Sequence, residues 1–67
     1  MKLYELPRNT KFKIKGFDEI FTLDHIDGMY SFCLDKDGNV VHIVAYAEVD
    51  EVFIFNDFFP PKENANV

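Results

Sequence analysis

A thiol and an imidazole could form a nucleophile and base pair in this chain. Cys33 is its single cysteine, and its two histidines are His25 and His42. A thiol becomes a nucleophile when a base removes its proton, and an imidazole within hydrogen-bond reach can do so. Strand alternation would set Cys33 opposite His42, with Asp24 and Asp35 nearby. A flat strand pair supplies no pocket, no oxyanion donors and no third group to orient the imidazole. The expectation is therefore a small half-buried Cys packed against a cross-strand His, with no catalytic residue.

Metal binding could recruit His25, His42, Cys33, Asp24, Asp27 or Asp35. Zinc sites announce themselves by closely spaced ligand pairs such as C-x₂-C or H-x₃₋₅-H, and neither occurs. Asp35-Lys36-Asp37-Gly38-Asn39 has the opening of a calcium loop without its later Glu, and reads as a hairpin turn. The three glycines, Gly16, Gly28 and Gly38, are isolated, so no phosphate-binding loop exists and no cofactor is called for. Lys11, Lys13 and Lys15 make one basic row beside Tyr4 and Phe17, which could serve nucleic-acid binding by a small barrel. The same row also protects an edge strand from unwanted pairing, and that reading is preferred.

The elements that must position these residues are strands. Helical spacing is absent, while period-2 segments rich in Phe, Ile, Val, Thr and Tyr recur between turn signals. Leu6-Pro7-Arg8-Asn9 feeds a strand at 10–15, with Phe12 and Ile14 inward and the lysines outward. Asp27-Gly28 and Asp37-Gly38 are the preferred centres of two-residue hairpins. With those loops Leu23 pairs with Phe32 and Phe21 with Leu34; Phe32 then pairs with Ile43 and Leu34 with Val41. The middle strand would point Tyr30, Phe32 and Leu34 inward and Met29, Ser31 and Cys33 outward, and His25 would end the apolar face. Ala47-Glu48-Val49-Asp50 suits one 3₁₀ turn before a last strand near 51–55.

Five short strands, a central meander and a tight turn before the last strand resemble the SH3-like small barrel, in which the first and last strands pair. The fold class is all-β: a small five-stranded SH3-like barrel, an antiparallel meander with a short 3₁₀ turn before the last strand. The wording of residues 21–31 and 37–42, over a likeness spanning residues 3 to about 52, also resembles small uncharacterised proteins of tailed bacteriophages, which implies an origin more than an activity. Residues 1–59 form the barrel, and 60–67, beyond Phe58-Phe59-Pro60-Pro61, a flexible C-terminal tail.

At 67 residues the chain is one domain, and with 48% hydrophobic residues it folds. No apolar run approaches the ~18 residues of a membrane span. A lone cysteine and no signal-peptide pattern point to the reducing cytoplasm, that of the host bacterium if phage-encoded. The charge of -5 is divided: residues 1–15 carry +4 and residues 16–67 carry -9. That separation favours steering toward a protein over a continuous nucleic-acid footprint. The outward face is apolar where a solvated sheet face should be polar. The chain therefore reads as a non-enzymatic module that binds or inhibits a host or phage protein. Ile26, Met29, Val44 and Tyr46 lie at the centre of its contact surface and Asp24, Asp35 and Glu48 on the rim. A homodimer, or the Phe53–Phe59 segment folding back, would cover the same patch.

Overall fold

The computed structural model describes residues 1–52. A 3₁₀ turn at Leu3–Glu5 precedes β1 (Lys11–Ile14), β2 (Ile20–Asp27), β3 (Tyr30–Leu34), β4 (Val40–Val44) and β5 (Val49–Glu51). They make one antiparallel sheet in the order β4-β3-β2-β1-β5, so the first and last strands pair as expected. β1 is consequently an interior strand, and edge protection does not account for its lysines. Among the described residues no helix is long and apolar enough to cross a membrane. The tail at 60–67, the Phe58-Phe59-Pro60-Pro61 segment and residues 53–55 of the strand expected near 51–55 lie outside the described residues, and β5 starts two residues earlier than expected, at Val49.

Chain entry into β1 follows turn chemistry. Thr10 N–H bonds the Pro7 carbonyl at 3.3 Å, and Asn9 takes φ 69°, a left-handed conformation that Asn tolerates. Phe12 is fully buried and meets Phe21 across the β1–β2 pair, ring centroids 5.8 Å apart. The core gathers Leu3, Leu6, Phe12, Phe21, Leu23, Cys33, Ile43 and Val49 on one face of the sheet, with Ile14, Ile26, Val41 and Ala47 packed against it.

Both hairpins depart from the expected register. The first loop is Gly28-Met29, with Asp27 paired to Tyr30. Gly28, at φ 64°, takes the left-handed position, so no residue with a Cβ has to. A bulge between Leu23 and His25 then pairs Leu23 with Cys33 and His25 with Phe32. The second loop has three residues, Lys36-Asp37-Gly38, closed by Asp35 N–H on the Asn39 carbonyl at 3.0 Å, with Gly38 at φ 86°. The Asp35 carboxylate accepts the N–H groups of Asp37 and Asn39, each at 2.9 Å. The Asn39 N–H above all, with the Asn39 side-chain amide and the Asp37 N–H behind it, holds that carboxyl below its usual range.

Moving the first turn by one residue shifts pairs by two, which preserves faces. The odd residue that inverts β3 comes from the bulge on one side and from the third loop residue on the other. Phe21, Leu23, Val41 and Ile43 keep their expected inward faces; β3 is turned over. Ser31 and Cys33 are fully buried, whereas Tyr30, Phe32 and Leu34 face out. Beyond the bulge His25 and Ile26 have likewise exchanged faces, and Ile26 packs against the core.

The 3₁₀ turn expected at Ala47–Asp50 is absent, because the N-terminus claims that backbone. Leu3 N–H bonds the Ala47 carbonyl (3.0 Å), Tyr4 N–H the Ala45 carbonyl (2.9 Å) and Val49 N–H the Met1 carbonyl (2.9 Å), which ties 47–49 to the N-terminus, while the chain turns just before them, Ala47 N–H bonding the Val44 carbonyl at 3.0 Å. The turn forms instead at Leu3–Glu5, dropping Leu3 and Leu6 into the core. Glu48 fixes the arrangement through the terminal ammonium at 2.8 Å and Lys2 Nζ at 3.1 Å. The hydrogen bond from the terminal ammonium, then that from Lys2, lowers its carboxyl from 4.5 to about 2. A carboxyl depressed in the folded state contributes stability that is full above the unfolded value and lost as pH falls through the folded one. Glu48→Gln is expected to lower Tm by a few degrees at pH 7, with wild type and variant converging between pH 4.5 and about 2. Thermal melts across that range check it, and a difference that persists at pH 2 would assign the loss to packing.

Candidate functional site

The outer face of the sheet collects side chains that solvent would not select. Its centre is a row across three strands, His25 on β2, Phe32 on β3 and His42 on β4. The His25 and Phe32 rings stack at 4.5 Å and 11°, and His42 meets Phe32 edge-on at 4.4 Å and 88°. Offset and edge-on contacts of this kind are the preferred aromatic arrangements. Each imidazole is oriented by a neighbour that only accepts. His25 Nδ1 lies 2.6 Å from Asp24 Oδ2, and His42 Nδ1 lies 3.2 Å from the Ser31 carbonyl. Arg8 in turn braces Asp24, its Nε donating to the Asp24 carbonyl at 2.8 Å.

Apolar pairs flank the row on both sides. Tyr30 faces Val44 toward the first hairpin, and Leu34 faces Val40 toward the second. Tyr30 is 56% exposed, Val40 59%, and beside them Met29 is 67% and Tyr46 55% exposed. Lys11 and Lys13 continue the same face onto β1, Lys11 reaching Thr22 Oγ1 at 3.4 Å and Lys13 standing opposite Asp50 of β5.

The residues singled out in the sequence are brought together only in part. Ala45 N–H bonds the Met29 carbonyl at 2.8 Å, so Met29, Val44 and Tyr46 gather at one end. Ile26 is on the opposite, core face. Asp24 lies in the bulge bonded to His25, Asp35 is occupied by the second hairpin loop, and Glu48 is occupied by the N-terminus. The residues that alternation turned away from this surface are Tyr30, Phe32 and Leu34 of β3. Their signal was the division of Tyr30-Ser31-Phe32-Cys33-Leu34 into a large-residue side and a small-residue side, whose direction alternation alone does not give.

Cys33 and His42 do not meet. Cys33 is paired with Val41 and points into the core, where burial pushes its thiol up, the Ser31 hydroxyl opposes that rise and Asp24 adds to it. Ser31 Oγ sits 3.1 Å from the sulfur and donates to the Ile43 carbonyl at 2.8 Å, so this buried hydroxyl is satisfied. Among the described residues no three His, Cys, Asp or Glu side chains group as metal ligands. Phe17 lines a hollow with Ile14, Asp18, Glu19 and Phe21, on the core side of β1 and apart from Lys11 and Lys13. Comparison with known protein families, characterised proteins and solved structures finds no match to this chain.

Proposed function

We propose that this chain is a non-enzymatic protein-interaction module whose contact surface is the outer face of the sheet, centred on Tyr30, Phe32 and Val44. One observation carries the reading: β3 places its large side chains on the outer face, Tyr30 exposed and Phe32 and Leu34 half-buried, and gives the core its small ones, Ser31 and Cys33. Folding alone would favour the reverse, because burying a Phe or Leu side chain is worth about 1.5–3 kcal/mol. An apolar sheet face of this kind on a small domain marks a binding surface, with aromatic side chains as its anchors. The net charge of -5, with Asp24, Asp27, Asp35 and Asp37 around the hairpins, selects a partner whose apolar patch is bordered by Lys and Arg. The resemblance to tailed-phage proteins makes that partner a host or viral protein. We read the fold as an SH3-like barrel, supported by the β1–β5 pairing and by the N-terminal bonds to Ala45 and Ala47.

Selection of a random peptide library on the immobilised chain tests the surface. Enriched peptides are expected to combine aromatic or aliphatic residues with Lys or Arg. A Tyr30→Ala, Val44→Ala double variant that retains its β circular dichroism should bind them at least about tenfold more weakly, some 1.4 kcal/mol. Peptides that bind wild type and variant alike would remove this face from consideration.

A second reading rests on β1 being interior, since Lys11 and Lys13 then share the outer face with the aromatic row. Cations beside stackable rings suit single-stranded nucleic acid. A gel shift with oligo-dT at low salt that Lys11→Glu and Lys13→Glu abolish would put nucleic acid in place of the protein partner.

A further inference from the structure

The two edges of the sheet are built differently. At one edge β5 spans, among the described residues, Val49–Glu51, and two of these three residues, Asp50 and Glu51, are acidic. Short length and charge are the usual devices that keep an edge from recruiting another strand. At the other edge β4, Val40-Val41-His42-Ile43-Val44, is of ordinary length and holds no Lys, Arg, Asp, Glu, Pro or Gly.

The hydrogen-bond pattern identifies which backbone groups of β4 are free. Asp35 bonds Asn39 and Ala45 bonds Met29, so the hydrogen-bonded positions of the β3–β4 ladder are the odd-numbered ones, and Val41 and Ile43 spend their groups on β3. Val40, His42 and Val44 therefore aim their N–H and C=O groups away from the sheet. Among the described residues the one backbone group that meets them there is Ala47 N–H, on the Val44 carbonyl at 3.0 Å. The free stretch has fixed limits, because Asn39 closes the hairpin at one end and at the other the chain turns away after Val44, whose carbonyl Ala47 N–H holds.

We propose that two copies of this chain join through this edge, β4 against β4, antiparallel and in register about His42. His42 is the midpoint of the free stretch, so this register alone pairs all of it with all of its mate. His42 then exchanges both bonds with His42 of the second copy, and each Val44 N–H reaches the Val40 carbonyl opposite. The side chains are self-complementary about the same point. Val40 meets Val44 on the outer face, and Val41 meets Ile43 on the core side, all β-branched residues that suit cross-strand contact. No charge on β4 opposes its own copy, although each chain carries -5. A two-fold axis through His42 closes the contact at two chains and merges two sheets into one. This pairing uses the sheet's edge, and holds whether or not the outer face takes a partner.

Light scattering and sedimentation equilibrium on the full chain, from about 10 µM to about 1 mM, test it, a range suited to an interface of a few residues. The mass is expected to rise from 7.8 kDa toward twice that value. Val40→Lys places a charge on the edge, and His42→Pro removes an outward N–H without breaking a bond to β3. Each should raise the dissociation constant more than about tenfold with circular dichroism unchanged. Independently of any variant, the Val40, His42 and Val44 amides of the wild-type chain should gain protection from hydrogen exchange as concentration rises. A chain monomeric throughout overturns the proposal. So does a dimer that both variants leave intact, or one whose formation leaves those three amides exchanging freely.

Discussion

Replacing Phe12 with Ala is expected to leave the chain without a cooperative unfolding transition above 25 °C. Phe12 is the largest of the fully buried side chains, on an interior strand paired on one side with β2 and on the other with β5. Truncation removes its transfer free energy and opens a cavity that the pinned strands cannot close, at a cost of about 3–5 kcal/mol. A domain of this size has a total stability near the low end of the usual range, about 5 kcal/mol. One substitution thus consumes most of the margin. Phe17→Ala is the matched control, since Phe17 is 65% exposed and should change stability by no more than about 0.5 kcal/mol. Thermal and urea melts followed by circular dichroism read both. A Phe12→Ala variant melting within a few degrees of wild type would mean that this aromatic is not the centre of the core.

Alkylation of Cys33 in the native chain is expected to run about a thousandfold slower than in denaturant, corresponding to an opening free energy of about 4 kcal/mol. The sulfur is fully buried between β2 and β4, and its thiol is pushed up chiefly by that burial, so reagent reaches it only when the sheet opens. The result discriminates between the two faces of β3. With the orientation that simple alternation predicts, Cys33 would stand on the solvated face beside His42 and react at close to the rate of a free thiol. Native and denatured rates within about tenfold of each other would return β3 to that orientation and withdraw Tyr30 and Phe32 from the proposed contact surface.

Much of this protein is legible in its residues. Phe12 and Ile14 alternating with Lys11, Lys13 and Lys15 define β1 and its buried face, and Phe21 with Leu23 and Val41 with Ile43 do the same for β2 and β4. The glycines mark both hairpins. Local physics suffices for these, because alternation and turn preference act over a few residues.

The orientation of β3 is of another kind. Tyr30-Ser31-Phe32-Cys33-Leu34 alternates equally well either way up, and a rule that buries the larger residues chooses the wrong way. The bulge at Asp24 and the third residue of the Lys36–Gly38 loop decide it, each adding one residue on opposite sides of the strand. The loop is marked by Gly38 at its left-handed third position and by the Asp35 carboxylate, but the bulge carries no local signature, since it is selected by how Leu23 and Ile26 fill the core together with Leu3 and Leu6, residues far apart in the chain. The place of the 3₁₀ turn was settled in the same way, by an N-terminus that bonds residues more than forty positions away. The four strands β1 to β4 and the inward faces of β1, of β4 and of β2 up to its bulge were thus written in residue order. Which side chains the finished sheet shows to the outside was decided by packing and by backbone pairing at long range.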